Sequence, residues 1–166
     1  MHPARLDEDA LLAQCRVGKT RSSGPGGQHR NKVETKVVMT HEPTGLTAQA
    51  GERRSAVENR RVAIFRLRLT MAMEVREGVP IGDCRSDLWK SRCRDGRVSC
   101  NPEHHDYPSL LAEALDVVHA CGLDMHKAAV RLECSASQIV KLIKDCPHAM
   151  ERLNRERQGK GLHALK

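Results

Sequence analysis

The sequence predicts an α+β protein, in which a small mixed or antiparallel sheet with a glycine-rich loop and a packed helix precedes a small helical domain. Residues 33–40 alternate apolar and polar side chains with the period of a half-buried strand. Residues 53–77 repeat apolar side chains at helical spacing. Later helical segments are separated by turn residues. We therefore expect a first domain at residues 1–77, an irregular linker at 78–108 and a helical domain at 109–166.

The first domain is expected to begin with a short strand at residues 10–17, followed by a glycine-rich, basic loop at 18–32. The alternating strand at 33–40 leads into Glu42-Pro43-Thr44-Gly45. This is a turn sequence, because proline presets φ and glycine tolerates positive φ. Small apolar residues on one face of the following segment complete an antiparallel hairpin: Leu46, Ala48 and Ala50.

The helix at 53–77 has two kinds of face. Its apolar residues should pack on the hairpin: Val57, Ile64, Leu67, Met71 and Val75. Seven arginines lie on the remainder: Arg53, Arg54, Arg60, Arg61, Arg66, Arg68 and Arg76. A charged face is usually only solvated, but seven arginines with few nearby acids favour a surface that contacts RNA. We take Arg53, Arg54, Arg60 and Arg61 as RNA-binding candidates.

Composition favours a polyanionic partner. The 166 residues carry a formal charge of +7, with 28 Lys and Arg against 21 Asp and Glu. Basic side chains that neutralise phosphates release condensed counterions, which drives binding to nucleic acids. Aromatic residues are only 2% of the chain, so stacking of successive bases is not expected. The composition instead suits contact with the backbone and shape of a folded RNA.

The seven cysteines are scattered: Cys15, Cys84, Cys93, Cys100, Cys121, Cys134 and Cys146. No secretory segment opens the sequence and no apolar run approaches a membrane span, so we expect a cytoplasmic protein with reduced thiols and no membrane partner. Cys84, Cys93, Cys100 and His104 or His105 lack the Cys-x-x-Cys spacing of a zinc site. Neither a metal nor another cofactor is predicted.

The segment richest in chemistry is Ser23-Gly24-Pro25-Gly26-Gly27-Gln28-His29-Arg30-Asn31. Three glycines in four residues allow close approach of the backbone to a crowded centre. The spacing is not that of a P-loop, and no βαβ unit surrounds it, as a dinucleotide fingerprint would require. By composition alone, a flexible glycine linker is as good an interpretation as a functional loop.

This extended motif resembles the signature of class I peptide chain release factors. The surroundings agree, since a strand precedes the motif and a strand, a Pro43-Thr44-Gly45 turn and an arginine-rich helix follow it. The resemblance covers about residues 10–76. It implies that the loop enters the ribosomal peptidyl transferase centre, where water hydrolyses the ester of P-site peptidyl-tRNA.

The resemblance also implies a role for each residue of the loop. Gly26, Gly27 and Gln28 would be catalytic: the glycines hold a backbone that a Cβ would block, and the Gln28 N–H stabilises charge on the reacting ester oxygens. The Gln28 side chain would admit water and exclude other nucleophiles. In this family the glutamine is often methylated, so a Gln methyltransferase is an expected partner. RNA contacts are expected from four residues around the loop: Arg21, His29, Arg30 and Lys32.

Stop-codon recognition is not expected. Only about ten residues precede the domain that resembles the family, whereas decoding release factors are much longer. The sequence is similar instead to short rescue factors, which act without a stop codon. These often carry a basic tail, and here the RNA-binding candidates are Arg152, Arg155, Arg157 and Lys160. We expect a monomer that binds large-subunit ribosomal RNA and P-site peptidyl-tRNA.

The C-terminal helices fit a helix-turn-helix. Ser109 is a possible N-cap for a helix that ends near Gly122. Helices at 124–132 and 136–145 are joined by Glu133-Cys134-Ser135, although Glu133 stands where glycine is common. Lys141 and Lys144 would contact phosphate. Two alternatives to hydrolysis remain open, namely a non-catalytic ribosome- or RNA-binding module and a helix-turn-helix DNA-binding protein.

Overall fold

The computed structural model describes residues 1–20 and 35–166. It divides into two compact units, Met1–Glu74 and Val75–Lys166. Small antiparallel sheets and seven α-helices occur within the described residues, so the predicted α+β class is confirmed. None of those helices combines the length and the apolar character needed to cross a bilayer.

The N-terminal unit begins with a 3₁₀ turn, Pro3–Arg5, and a short helix α1, Glu8–Ala13. The predicted strand at 10–17 is therefore wrong in its first half. Asp7 caps α1, since its carboxylate accepts a hydrogen bond from the Ala10 N–H at 2.8 Å. Acidic residues in the first turn also suit a helix N-terminus, and this local capping outweighs the weak alternation in the sequence.

A three-stranded antiparallel sheet follows, in the order β1 (Cys15–Thr20), β2 (Lys36–His41) and β3 (Thr47–Ala50). Strand β2 buries every second residue, which confirms the predicted alternation. Gly45 lies in the turn between β2 and β3 with φ +70°, a conformation that favours glycine.

Helix α2, Ala56–Glu74, packs on β2 and β3 and supplies much of the core of this unit. Its buried residues are Asn59, Ala63, Ile64, Leu67, Met71 and Ala72. Two of the predicted core residues are not in this core. Val57 is 63% exposed in the first turn of the helix, and Val75 lies beyond its last residue.

The C-terminal unit is organised by helix α4, Tyr107–Ala120, which is buried at every position from Tyr107 to Val118. Ser109 was expected to cap this helix, but it lies inside the first turn and is 8% exposed. The helix starts three residues earlier than predicted, at Tyr107, because Pro108 suits a first turn, where no N–H needs a helical partner. Gly122 follows the helix with φ +66°, as expected of a C-terminal glycine.

Three further helices complete this unit: α5 (Met125–Leu132), α6 (Ala136–Lys144) and α7 (Pro147–Gly159). The first two confirm the predicted pair of helices. The third differs from the basic tail expected after residue 150. Ala149, Met150 and Leu153 are buried, so an apolar stripe holds this basic segment against the unit as a helix.

The structure also differs from the irregular linker predicted at 78–108. This stretch contains helix α3 (Asp87–Arg92) and a short hairpin of β4 (Cys93–Arg94) and β5 (Arg97–Val98). Trp89 is fully buried, and its indole N–H donates to the Leu132 carbonyl at 2.9 Å. Residues 78–108 therefore belong to the C-terminal unit.

Two buried carboxylates on α4 fix the start of this stretch. Glu113 accepts hydrogen bonds from the N–H of Ser86 at 2.7 Å and from its hydroxyl at 2.5 Å. Asp116 accepts from the Glu77 N–H at 3.1 Å and from the Arg76 guanidinium at 3.3 Å. Buried charges require such partners, so these contacts hold residues 76–86 against α4.

Candidate nucleic-acid interface

The predicted catalytic residues Gly26, Gly27 and Gln28 lie outside the described residues. The same is true of four predicted RNA contacts: Arg21, His29, Arg30 and Lys32. The described structure fixes both ends of this segment, because Thr20 at the end of β1 pairs with Lys36 at the start of β2. The segment that carries the motif therefore leaves and rejoins the sheet at the same end.

The residue that secures this end of the sheet is Asn59 on α2, which is fully buried. Its side-chain amide donates to the Thr35 carbonyl at 2.7 Å and to the Arg53 carbonyl at 2.9 Å. Its oxygen accepts from the Arg53 N–H, also at 2.9 Å. One side chain thus joins the residue after the motif segment to the residues that precede α2.

The sequence did not identify Asn59 as a functional residue. A signal was nevertheless present, since Asn59 precedes Ala63, Leu67 and Met71 at intervals of four. These three residues are fully buried. A polar residue on a buried helical stripe needs hydrogen-bond partners within the protein, and it can therefore position backbone.

The seven arginines of the predicted helix separate into two groups. Three have structural partners: Arg66 pairs with Glu52 at 2.6 Å, Arg68 donates to the Ala4 carbonyl at 2.9 Å, and Arg76 pairs with Asp116. Burial lowers the pKa of Arg68, which is consistent with a structural role. The other four arginines are exposed and have no ion pair with a described residue: Arg53, Arg54, Arg60 and Arg61.

These four arginines are the RNA-binding candidates that the sequence selected. Arg53 has a fixed backbone position because both its N–H and its carbonyl bind Asn59. The same asparagine binds Thr35, so Arg53 lies near the base of the motif segment. Contact of the four arginines with RNA stays a prediction, and its physical basis is that all four are exposed and that Arg53 is held next to Thr35.

In the C-terminal unit, α5, a three-residue turn and α6 have the order predicted for a helix-turn-helix. Glu133 adopts the left-handed conformation, with φ 49° and ψ 45°, at the position where glycine is common. The Ser135 hydroxyl caps α6 by accepting from the Gln138 N–H at 3.3 Å. Lys141 and Lys144 are exposed on α6, as contact with phosphate would require.

The predicted RNA contacts near the C-terminus are mostly engaged within the protein. Arg152 pairs with Glu156 at 3.3 Å and Arg155 with Glu151 at 2.9 Å. Arg157 donates to the carbonyls of His163 and Leu123. Lys160 is exposed just after α7. An RNA phosphate would have to compete with these internal partners for the three arginines.

The cysteines that were considered for a zinc site lie next to backbone carbonyls. Cys84 and Cys93 are each placed to donate to a different carbonyl, that of Arg131 at 3.6 Å and that of Glu133 at 3.7 Å. Burial raises the pKa of the Cys84, Cys93 and Cys100 thiols. Burial therefore favours the protonated form of these thiols where no metal is bound.

A second group of potential ligands, His104, His105 and Asp106, has its donor atoms within 4.8 Å of one another. Asp106 is already paired with the Arg92 guanidinium, at 2.5 and 3.1 Å. A guanidinium on the only carboxylate of the group repels a metal cation. This group is therefore better explained as the ion pair that holds α3 near the start of α4.

Comparison with known proteins supports the resemblance. Residues 10–80 match the protein family described as the RF-1 domain. Peptide chain release factor 1 of Leptothrix cholodnii is 29% identical over 143 residues, which are 85% of this chain and 37% of that protein. Its namesake from Maricaulis maris is 31% identical over 154 residues, covering 86% and 42%. The chloroplastic peptide chain release factor PrfB1 of Arabidopsis thaliana is 40% identical over 77 residues, covering 45% and 17%.

Two facts follow from these coverages. The chain spans about two fifths of the length of the two release factor 1 proteins that it matches over most of its own length. A match over 85% of the chain cannot be confined to Met1–Glu74, so it includes residues of both units. The RF-1 match, by contrast, ends at residue 80.

Proposed function

The chain belongs to the family of class I peptide chain release factors, and from this premise we propose that it hydrolyses the ester bond of ribosome-bound peptidyl-tRNA. The observation that carries the proposal is the RF-1 match at residues 10–80. That range includes the paired ends of β1 and β2, between which the Gly26-Gly27-Gln28 sequence lies.

The proposed reaction is attack of water on the ester carbonyl of P-site peptidyl-tRNA. The carbon–oxygen bond to the tRNA ribose breaks, the peptide leaves with a new carboxyl group, and the ribose oxygen takes up a proton. The Gln28 N–H would stabilise negative charge on the reacting ester oxygens, and the Gln28 side chain would favour water over larger nucleophiles. Gly26 and Gly27 would allow the backbone to approach the ester.

The ribosome would supply most of the binding partners. We propose that large-subunit RNA and P-site tRNA contact the basic residues around the motif and the exposed arginines before and within α2. A single positioned N–H is worth about 10²–10³ in rate in other acyl-transfer sites. The remaining acceleration would come from ribosomal groups and from orientation of the substrate. The protein is proposed to act as a monomer, with Gln28 as a substrate for a Gln methyltransferase.

We further propose that release does not depend on a stop codon. The support comes from the residues beyond the RF-1 match, which form a helical unit that exposes Lys141 and Lys144 on α6 and Lys160 just after α7. Such surfaces suit contact with RNA phosphates rather than the reading of base edges.

The test is release of labelled peptide from ribosomes that carry P-site peptidyl-tRNA on an mRNA without a stop codon. We expect the wild type to release peptide, and Gly27→Ala and Gln28→Pro, which lacks the backbone N–H, to lower the rate by about 100-fold or more. Gln28→Ala keeps this N–H, so it should mainly weaken the preference for water over other nucleophiles. Matched controls are Gly18→Ala, where a new Cβ would meet only the Val38 oxygen at 3.9 Å, and Gln49→Ala on the exposed face of β3.

Each outcome has a distinct meaning. Loss of release in the motif variants alone would support hydrolysis by this loop. Ribosome binding without release would favour the non-catalytic alternative, and release only when a stop codon is present would contradict codon independence. Absence of ribosome binding would overturn the proposal.

A further inference from the structure

We propose that the β4–β5 hairpin and helix α6 form one basic surface that binds the phosphate backbone of double-helical RNA. The choice of RNA rests on the proposed ribosomal function, whereas the surface itself rests on the structure. The arrangement is that of a helix-turn-helix with a small wing. The hairpin brings additional cations close to the second helix, and the sequence alone does not show that they lie there.

The hairpin is attached directly to the start of α6. The Gly96 carbonyl accepts from the Ser135 N–H at 3.3 Å, and the Val98 N–H donates to the side-chain oxygen of Gln138 at 3.2 Å. The two residues at the hairpin tip, Asp95 and Gly96, have φ values of 49° and 72°. Positive φ at both positions is typical of a tight two-residue turn, which gives a defined place to the residues on either side.

Those flanking residues are Arg94 and Arg97, which are exposed and pair with each other across the hairpin. Helix α6 buries Ile139, Leu142 and Ile143 on one side. Its other side exposes Ser137, Lys141 and Lys144, which are spaced by four and three residues and so share a face. Gln138, which binds the hairpin, precedes Lys141 by three residues and is its neighbour on the helix surface.

The four cations of this surface lack the ion pairs and carbonyl contacts that the remaining arginines of the unit make. Arg94, Arg97, Lys141 and Lys144 have no ion pair with any residue in the described part of the chain. The remaining arginines of the unit are each bonded to a carboxylate or a carbonyl: Arg76, Arg85, Arg92, Arg131, Arg152, Arg155 and Arg157. The acids nearest in sequence are Asp95 at the hairpin tip and Asp145 after α6, so the surface keeps a positive balance.

The chemistry favours phosphate over bases. Lysine is a point charge that suits phosphate without reading sequence, and Gln138, the side chain best suited to a base edge, is occupied by the hairpin. Trp89 and Tyr107 are buried, so they cannot stack on unpaired bases. Double-helical RNA, which proteins recognise largely through its shape and backbone, fits this surface best.

The test measures binding by the full chain, and none of its probes carries the peptidyl ester that the protein is proposed to hydrolyse. The probes are a short RNA duplex, a DNA duplex of the same sequence and the single RNA strand. The variant combines Arg94→Gln, Arg97→Gln, Lys141→Gln and Lys144→Gln. The control makes four equal charge changes at cations of the same unit that already have partners: Arg85→Gln, Lys90→Gln, Lys127→Gln and Arg131→Gln.

We expect the four surface substitutions to weaken binding to duplex RNA by about tenfold or more, and to lower the slope of log K against log salt by about 3 to 4. The control should change both much less, and thermal melts of the two variants should be similar. Equal weakening by both variants, or none by either, would overturn the proposal. Preference for the DNA duplex would favour the DNA-binding alternative, and preference for the single strand would also contradict the inference. These results stand apart from peptide release, which is measured on the parent chain.

Discussion

The side-chain amide of Asn59 donates to the backbone oxygen of Thr35 at 2.7 Å, and thereby joins α2 to the first described residue after the motif segment. We predict that Asn59→Ala lowers the unfolding free energy of the N-terminal unit by about 2 kcal/mol, because three partly buried backbone groups lose their hydrogen-bond partner. The measurement is hydrogen exchange of the Lys36–His41 amides in the full chain.

Asn59→Ala should also show whether Asn59 positions the motif segment for reaction or contributes to ribosome binding. If Asn59 positions the motif segment, the rate of peptide release at saturating protein falls more than the affinity for ribosomes. Asn59→Asp should behave like Asn59→Ala, since a carboxylate cannot donate to the two carbonyls. Asn154→Ala is the matched control, because Asn154 makes a similar pair of bonds to the N–H and carbonyl of Leu165 in the other unit. Unchanged release with Asn59→Ala would contradict the positioning role.

A second prediction concerns pH. His41 is 1% exposed, and burial lowers its pKa below the ordinary value of 6.5. Its ring nitrogens contact the Thr44 hydroxyl at 2.8 Å and the Gln14 side-chain oxygen at 3.0 Å. Neutral imidazole satisfies both partners by accepting from the hydroxyl and donating to the amide oxygen. Protonation would leave the accepting nitrogen unable to fill that role.

The direction in which stability changes with pH follows from the lowered pKa of His41. Above pH 6.5 both the folded and the unfolded chain hold His41 neutral, so its contribution is fully present. As the pH falls below that value, the unfolded state binds the proton first and stability is lost, with a slope of up to about 1.4 kcal/mol per pH unit. The carboxylates of lowered pKa, such as Glu52, lose their contribution only below about pH 4.5.

The measurement is urea unfolding at about pH 7.5 and about pH 5.5. His41→Gln should reduce the loss of stability between these two values, and His148→Gln, at an exposed histidine of the other unit, is the control. An equal loss in wild type and His41→Gln would show that another group causes the dependence. The pH dependence reports the difference in bound protons between the folded and the unfolded chain.

The parts of the fold that were predictable are those with a repeating pattern. Strand β2 and helix α2 extend over enough residues for their periods to be recognised in the sequence. Helix α1 has six residues, less than two turns, so its apolar pattern is too short to distinguish helix from strand. The α3 helix and the β4–β5 hairpin depend on distant partners, such as Leu132 for Trp89 and Glu113 for Ser86.

The candidate site also has one part that the sequence predicts and one part that only the structure shows. The Gly26-Gly27-Gln28 motif was recognisable because its residue types are unusual and adjacent. The contacts of Asn59 were not, because Thr35 is 24 residues away in sequence. The sequence shows directly that α2 and its flanking residues carry many arginines. Only the structure separates Arg66 and Arg68, which have partners, from the exposed arginines that do not.

A third prediction tests the inclusion of residues 78–108 in the C-terminal unit. Trp89→Phe keeps most of the buried apolar surface but removes the donor to the Leu132 carbonyl at the end of α5. We expect a loss of about 2 kcal/mol in unfolding free energy, and about 3–5 kcal/mol for Trp89→Ala. Far-UV circular dichroism during urea unfolding gives the measurement. Leu88→Ala, at the half-buried neighbour, should cost less. If Trp89→Ala were tolerated, α3 would contribute little to the unit.

The last prediction concerns Glu133 in the turn between α5 and α6. Its φ of 49° is a left-handed conformation, which costs a residue with a side chain about 1–2 kcal/mol relative to glycine. Glycine loses more backbone entropy on folding, by about 0.5–1 kcal/mol, so Glu133→Gly should raise the unfolding free energy by roughly 0.5–1 kcal/mol. The single tryptophan, Trp89, lies in the same unit and reports its unfolding by fluorescence.

The competing effect is the ion pair between Glu133 and Arg85, which Glu133→Gly also removes. The Glu133 side chain is 65% exposed, and exposed ion pairs contribute little because solvent screens them. Glu133→Gln isolates the contribution of the ion pair, since it removes the charge and keeps the backbone strain. We expect it to change the unfolding free energy little. If both substitutions lowered stability equally, the Arg85 pair would outweigh the strain. Glu133→Gly should then be compared with Arg85→Gln, which breaks the same pair and leaves the left-handed residue in place.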